Sequence, residues 1–192
     1  MKIAIISDSH DNIELLHSAF ADAKDRGAEQ VLHCGDVVAP YTIKRAHKYG
    51  LPIHVIHGNN TGDLYHLAKV SNDPQYMVTY YGRDASIELG GRKIFMVHYP
   101  EYAEAMALTA KYDLVCCGHD HHCNIETIQT IDQNKTTLLV NSGSSSGIDR
   151  VQPTYAFGDL ESLEFEIIDI PEPQDLKPYR HSTNYRGISK KS

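Results

Sequence analysis

Seven residues of metal-binding type stand at the ends of short apolar runs. Asp8 and His10 follow KIAIIS, Asp36 closes QVLHCGD, Asn59 follows LPIHVIHG, His98 ends RKIFMVH, and His119 and His121 follow DLVCCG. Carboxylate, amide-carbonyl and imidazole donors in this mixture suit Mn²⁺, Fe or Zn²⁺ better than Ca²⁺ or Mg²⁺, which prefer all-oxygen shells. Seven donors exceed the needs of one ion that keeps an open position; two ions sharing a carboxylate need about that number. Two such ions ~3.5–4 Å apart serve in-line attack on phosphorus, generating a hydroxide and clamping the phosphate oxygens.

The densest stretch, CCGHDHHCN at 116–124, also raises a closed zinc knot on Cys116, Cys117 and Cys123. Structural zinc uses paired Cys-x₂₋₄-Cys elements. Here only Cys117 and Cys123 are even roughly spaced, and no second pair exists. Cys34, Cys116 and Cys117 fall in apolar strand ends, where cysteine acts as a small hydrophobe, so reduced packing thiols are expected. GSSSG at 143–147 matches G-x-S-x-G, but a nucleophile elbow leads into a helix. The continuation IDRVQPTYAF is strand-like, so a structural or phosphate-contacting turn is expected.

The elements that must position these residues alternate between strand and helix. KIAIIS is a strand buried on both faces. Ile13, Leu16, Ala19, Phe20 and Ala23 then repeat at helical spacing, with Asp11 as the expected N-cap three before Glu14. Further helices are expected over 40–49, 61–70 and 101–112, and a β-hairpin over 76–90 with Tyr81-Gly82-Arg83-Asp84 at its turn. From 123 onward NIETIQTI, TTLLVNS, TYAFGDL and LEFEIID read as successive strands. In open α/β sheets ligands gather at the carboxyl ends of strands, so five runs ending in donors point to one shared site. Gly35, Gly58 and Gly118, each just before a donor, fit sharp turns or close approach to an ion.

The 192 residues suffice for one domain with a substantial core. A net charge of −7 argues against a nucleic-acid backbone binder and leaves room only for a small basic patch; the last fifteen residues are Lys/Arg-rich. No apolar run approaches the ~20 residues of a membrane span. MKIAIISDSHD resembles a signal peptide for only six residues, so a cytoplasmic protein is expected. Assembly into a homo-oligomer stays open.

DSH, GDVV, GNN, VH and GHDHH, in that order, resemble the motif series of the calcineurin-like metallophosphoesterases, and NSGS at 141–144 resembles that family's NPGS. The resemblance covers roughly residues 1–168 and is strongest to the family's small archaeal and bacterial phosphodiesterases. It implies an α/β fold: a four-layer αββα sandwich, two packed mixed β-sheets flanked by helices, as a single domain over 1–170. Residues 171–192 would be a surface extension or disordered tail. It further implies that Asp8, His10 and His121 hold one divalent ion and Asn59, His98 and His119 a second, with Asp36 bridging. Manganese is the first choice of ion, with nickel, zinc or iron as alternatives. A metal-bridging hydroxide would attack a small phosphodiester, with Asp36, Asn59 and His98 nearest the chemistry and Asn60, Tyr99 and Ser144 contacting substrate.

Three positions depart from the family pattern. Asn60 stands where many members carry a histidine that can protonate the leaving group. Tyr99-Pro100 replaces the glycine that usually follows His98, narrowing the entrance or offering a stacking face. GDVV replaces GDxxD, leaving Asp11 as a supporting carboxylate. The alternative is a catalytically silent scaffold on the same fold, as in a retromer subunit.

Overall fold

Lys2–Ile6 form the first strand, β1, and its side chains are used on both faces. In the computed structural model, which describes residues 1–132 and 134–173, Ala4 and Ile6 enter one apolar cluster while Ile3 and Ile5 enter another. Apolar layers above and below are what a continuous apolar run such as KIAII requires. β1 pairs in parallel with β2 (Gln30–His33), β2 with β3 (Ile53–Val55), and β3 with β4 (Val78–Tyr80).

A second sheet follows, in the order β5 (Asp84–Leu89), β6 (Arg92–Val97), β7 (Leu114–Cys117), β9 (Thr136–Ser142), β8 (Cys123–Gln129). Its three central strands are parallel, and its two edge strands run antiparallel to them. The chain then returns to the first sheet: β10 (Thr154–Asp159) pairs antiparallel with β1, and β11 (Glu164–Asp169) with β10.

The sheets face each other across Ile3, Ile5, Leu32, Met96, Leu114 and Val140. Helix α1 (Ile13–Asp25) lays Leu16, Ala19, Phe20 and Ala23 on the outer face of the first sheet. Helix α2 (Pro40–Arg45), a 3₁₀ turn at Ala46–Tyr49 and α3 (Leu64–Ser71) extend that cover. Helix α4 (Pro100–Ala107) packs Ala103 and Ala107 against Val97, Val115, Cys117 and Leu139 of the second sheet. The layers therefore run α, β, β, α, as the family resemblance implied. Among the described residues no helix is long and apolar enough to cross a membrane. Of the expected tail, residues 174–192 lie outside the described residues.

Three local expectations need correction. Residues 76–90 are not a hairpin: β4 adds in parallel to β3, whereas β5 joins the other sheet, so Tyr81-Gly82-Arg83 carries the chain between layers. The hairpin is β5–β6, turned by Gly90 and Gly91, both at positive φ (57° and 76°) as a two-residue primed turn demands. Helix α4 stops at Ala107, not 112; the Thr109 hydroxyl donates to the Met106 carbonyl (2.6 Å) and Ala110 turns left-handed at φ 60°. The α1 cap is Asn12, whose side chain accepts from the Leu15 N–H (3.2 Å). Asp11, left-handed at φ 58°, instead accepts from the Ala39 N–H (2.7 Å) and the Thr42 hydroxyl (2.9 Å), tying the loop after β1 to the loop after β2.

His17 on α1 sets its ring edge against Tyr49 (centroids 5.6 Å apart), and its Nε2 has no hydrogen-bond partner. Burial first, then the charges of Lys48 and Arg45, push its pKa down to about 4. Fully buried His33 is likewise pushed by burial to about 4. An unfolded histidine takes its proton near pH ~6.5, so stability falls as pH drops from there toward about 4. His17→Phe keeps the ring contact without the titration. It is expected to reduce the slope of Tm against pH in that window, and an unchanged slope would assign the dependence elsewhere.

Candidate metal centre

β1, β2 and β3 run parallel, as do β6 and β7, so each releases its loop at the same end of its sheet. Those loops bring all seven donors together. Asp8 Oδ1 lies 3.8 Å from His10 Nε2, 3.9 Å from His98 Nε2 and 3.6 Å from His121 Nε2. Asp36 splits its oxygens, Oδ2 3.6 Å from His10 Nε2 and Oδ1 3.5 Å from His98 Nε2. Asn59 Oδ1 lies 3.0 Å from His98 Nε2 and 2.9 Å from His119 Nδ1. Two triads, Asp8–His10–His121 and Asp8–Asp36–His98, each hold their donor atoms within 4.8 Å of one another.

These spacings fit cations better than hydrogen bonds. Carboxylate–imidazole distances of 3.5–3.9 Å are too long for a direct bond. Two ligands of one ion, each about 2.0–2.2 Å from it, lie roughly 3–4 Å apart. Among the described residues Asp8 Oδ1 and His10 Nε2 are buried with no hydrogen-bond partner, an unfavourable state for polar atoms unless something joins them. The His98 Nδ1–H donates to the Cys34 carbonyl oxygen (2.8 Å). Its Nε2 can then face the oxygens of Asn59 and Asp36 only as a second N–H or across a cation.

The electrostatics agree. Burial alone would raise the Asp8 carboxyl, but His10 beside it and the charge of His98 hold it below the usual range. Burial also opposes ionisation of Asp36, yet His98 and Asn60 hold it well below that range. Burial disfavours a charged His98, while Asp36 and Asp8 raise its pKa. Two ionised, enclosed carboxylates thus draw positive charge, which protons or metal ions can supply.

The backbone is bent to make this possible. Asp8, His10, Asp36, His119 and His121 have φ between 40° and 76°, a region non-glycine residues rarely adopt. Such strain persists only where surrounding bonds over-determine it. Here the turn at 143–146 does so: Ser145 donates to the Ser7 carbonyl through both N–H (3.0 Å) and hydroxyl (2.9 Å). The Asn141 amide holds the Gly118 carbonyl (3.2 Å) and Asp120 (2.8 Å), and the His119 N–H donates to Asp8 Oδ2 (2.9 Å). The turn is thus structural, one of the two roles expected of GSSSG, but the loops it clamps are not visible in the sequence.

Three residues expected to touch substrate differ in placement. Ser144 is fully buried, and its hydroxyl donates to the Asp8 carbonyl (3.1 Å). Asn60 is exposed but grips Asp36, its N–H donating to Oδ1 (2.9 Å) and its amide to Oδ2 (2.7 Å). Tyr99 is half-buried beside the donors, its ring 4.6 Å from that of His119 and 5.2 Å from that of His98. Cys34, Cys116 and Cys117 are buried free thiols, and Cys123 is exposed. Burial pushes the Cys117 thiol up.

Residues 1–163 match the calcineurin-like phosphoesterase superfamily domain, and the chain belongs to that family of hydrolases. Over 173 residues it is 29% identical to Phosphodiesterase MJ0936 of Methanocaldococcus jannaschii, spanning 88% of this chain and 98% of that protein. The solved structure of an archaeal phosphodiesterase superposes with TM-score 0.78 at 29% identity, over 88% of this chain and 99% of its own. YfcE, a phosphoesterase from E. coli, gives TM-score 0.60 at 15% identity over 89% and 100% of the two chains. Vps29 from Cryptosporidium parvum gives 0.61 at 15% over 87% and 95%. At such identity these two share the fold alone.

Glycine is required at 118 for room: a Cβ there would meet the Ser7 hydroxyl and the Asp8 carboxylate. Gly118→Ala is therefore expected to weaken divalent-metal binding ~10–100-fold, the range for lost ligand orientation, by calorimetric titration of the metal-stripped protein. Unchanged affinity would show that the Asp8 carboxylate is not part of the binding site.

Proposed function

We propose that the chain is a dinuclear metal-dependent phosphodiesterase acting on small phosphodiesters, with manganese as its usual ion. The observation that carries this reading is one buried, unpartnered carboxylate oxygen, Asp8 Oδ1, set 3.6–3.9 Å from the Nε2 atoms of three histidines. Its support is the 29% identity, over nearly full length, to a named phosphodiesterase. In this reading Asp8, His10 and His121 would hold one ion and Asn59, His98 and His119 the other, with Asp36 serving both. When bound, two such ions supply an activated water and neutralise charge on the transferring phosphoryl group.

The chain's own residues then have distinct tasks. Cys34 orients the His98 ring by accepting from its Nδ1–H, leaving Nε2 for the cluster. Asn60 keeps both Asp36 oxygens aimed between His10 and His98. Tyr99 walls the side of the site next to His119. An amide at position 60 cannot protonate a departing alkoxide, so the leaving group must depart on its own acidity. Four free cysteines, three of them buried, are in keeping with a cytoplasmic protein.

The fold shared with Vps29 favours a second reading, a scaffold without activity. We prefer the enzyme because seven convergent donors have no role in a scaffold. Bis-p-nitrophenyl phosphate with Mn²⁺, Ni²⁺ or Zn²⁺ separates the two: turnover is expected with at least one, and none with any of them in folded protein sinks the enzyme reading. His119→Ala is expected to lower that turnover at least ~100-fold with Tm nearly unchanged. Alkyl phosphodiesters are expected to react at least ~100-fold slower than nitrophenyl ones, the contribution of a missing general acid. Equal rates on the two would mean that another group donates the proton.

A further inference from the structure

The acidic net charge hides a local inversion. Residues 37–72, which form α2, the 3₁₀ turn, β3 and α3, contain Lys44, Arg45, Lys48 and Lys69 against the single carboxylate of Asp63, in a chain of net charge −7. Asp63 is already engaged, capping α3 through the His66 N–H (2.9 Å). Each of the four cations lies over a tyrosine ring: Lys44 on Tyr76 (4.7 Å), Arg45 on Tyr41 (5.3 Å), Lys48 on Tyr49 (4.9 Å) and Lys69 on Tyr65 (4.6 Å). Among the described residues none of them forms an ion pair with a carboxylate. Tyr41 and Tyr65 stay 54% and 73% exposed with Arg45 and Lys69 over their rings, and the Tyr41 hydroxyl accepts a hydrogen bond from Arg45 (2.6 Å).

This face is joined in the chain to two loops of the metal centre. A cleft of about 360 Å³ opens between α2 and α3, lined by Val38, Tyr41, Lys44, Gly62, His66 and the helix-capping Asp63. Val38 is two residues beyond Asp36 and Gly62 two beyond Asn60, so two of the lining residues lie within ~7 Å of chain from the metal-centre loops. A molecule whose phosphodiester sits at the donors could reach this cleft with its next unit.

We propose that the α2–α3 face is a subsite for single-stranded nucleic acid, and that the phosphodiester cleaved at the metal centre belongs to an oligonucleotide. Lys44 and Arg45 meet the flanking phosphates, and Tyr41 offers a stacking face to a base. A cation-plus-tyrosine surface is how strands are held without sequence preference, since every base has a π-face and every linkage a charge. An acidic peptide would use the lysines and leave the rings idle. The inference rests on the phosphodiesterase reading only in calling the bound strand a substrate.

The test is fluorescence anisotropy of the purified, metal-loaded protein with a labelled phosphorothioate single strand, which resists cleavage. Lys44→Glu/Arg45→Glu is expected to weaken binding at least tenfold and to flatten the plot of log K against log salt by about 0.7 per cation removed. Tyr41→Ala is expected to weaken it ~5- to 150-fold, the range for one stacked base. Both variants should keep wild-type Tm and wild-type turnover of bis-p-nitrophenyl phosphate. Wild-type protein that hydrolyses that diester but does not bind the strand overturns this inference and spares the enzyme. Binding without hydrolysis of any diester does the reverse. Displacement of the strand by equal charge concentrations of polyglutamate, or binding unaffected by the variants, would also overturn it.

Discussion

Two enclosed carboxylates that cannot neutralise each other set the terms for the rest of this structure. Asp8 is fully buried and Asp36 nearly so. Their oxygens face imidazole nitrogens at distances that make neither hydrogen bonds nor clashes. Burying a carboxylate is unfavourable by several kcal/mol unless opposite charge accompanies it. The protein nevertheless holds both in place with left-handed backbone at five of the seven donors. It adds serine and asparagine clamps behind the loops. Nothing in folding alone calls for that arrangement. It is the cost of keeping an anionic cavity ready for cations, and it explains why the turn after β9 is buried and polar.

The same constraint explains what was legible beforehand. Donor residue types are uncommon at the ends of apolar runs, and parallel strands with covering helices must end on one side, so the seven positions could be grouped before any coordinates. The αββα layering followed from the family motifs, and the four late strands from loss of helical periodicity. What failed was pairing. Val78–Tyr80 and Asp84–Leu89 looked like neighbours because a turn separates them, yet their side chains serve different sheets. Local propensity specifies a strand but not its partner. Gly90-Gly91 held the better hairpin signal, since both residues must be left-handed.

Errors of one residue have a similar origin. Asp11 and Asn12 are both good caps, and which one caps depends on where the chain leaves the site. Left-handed His10 and Asp11 delay the helix by a residue and free Asp11 to hold the neighbouring loop. Ser144 lies in a family motif associated with substrate, but its burial follows from clamping Asp8, a contact between residues 136 positions apart. Such contacts are written only in three dimensions.

Net charge carries no position. A sum over 192 residues says nothing about where charge lies, and here a 36-residue stretch bordering the site runs opposite to the whole. The two fields are complementary. In the proposed reading, carboxylates at the strand ends would draw divalent cations, and those cations with Lys44 and Arg45 would make the approach attractive to phosphate. Acidic surface elsewhere would repel a polyanion and narrow the ways it can approach. An acidic protein with one basic approach to a metal centre is better arranged to orient a short strand than a uniformly basic one, which would hold it anywhere.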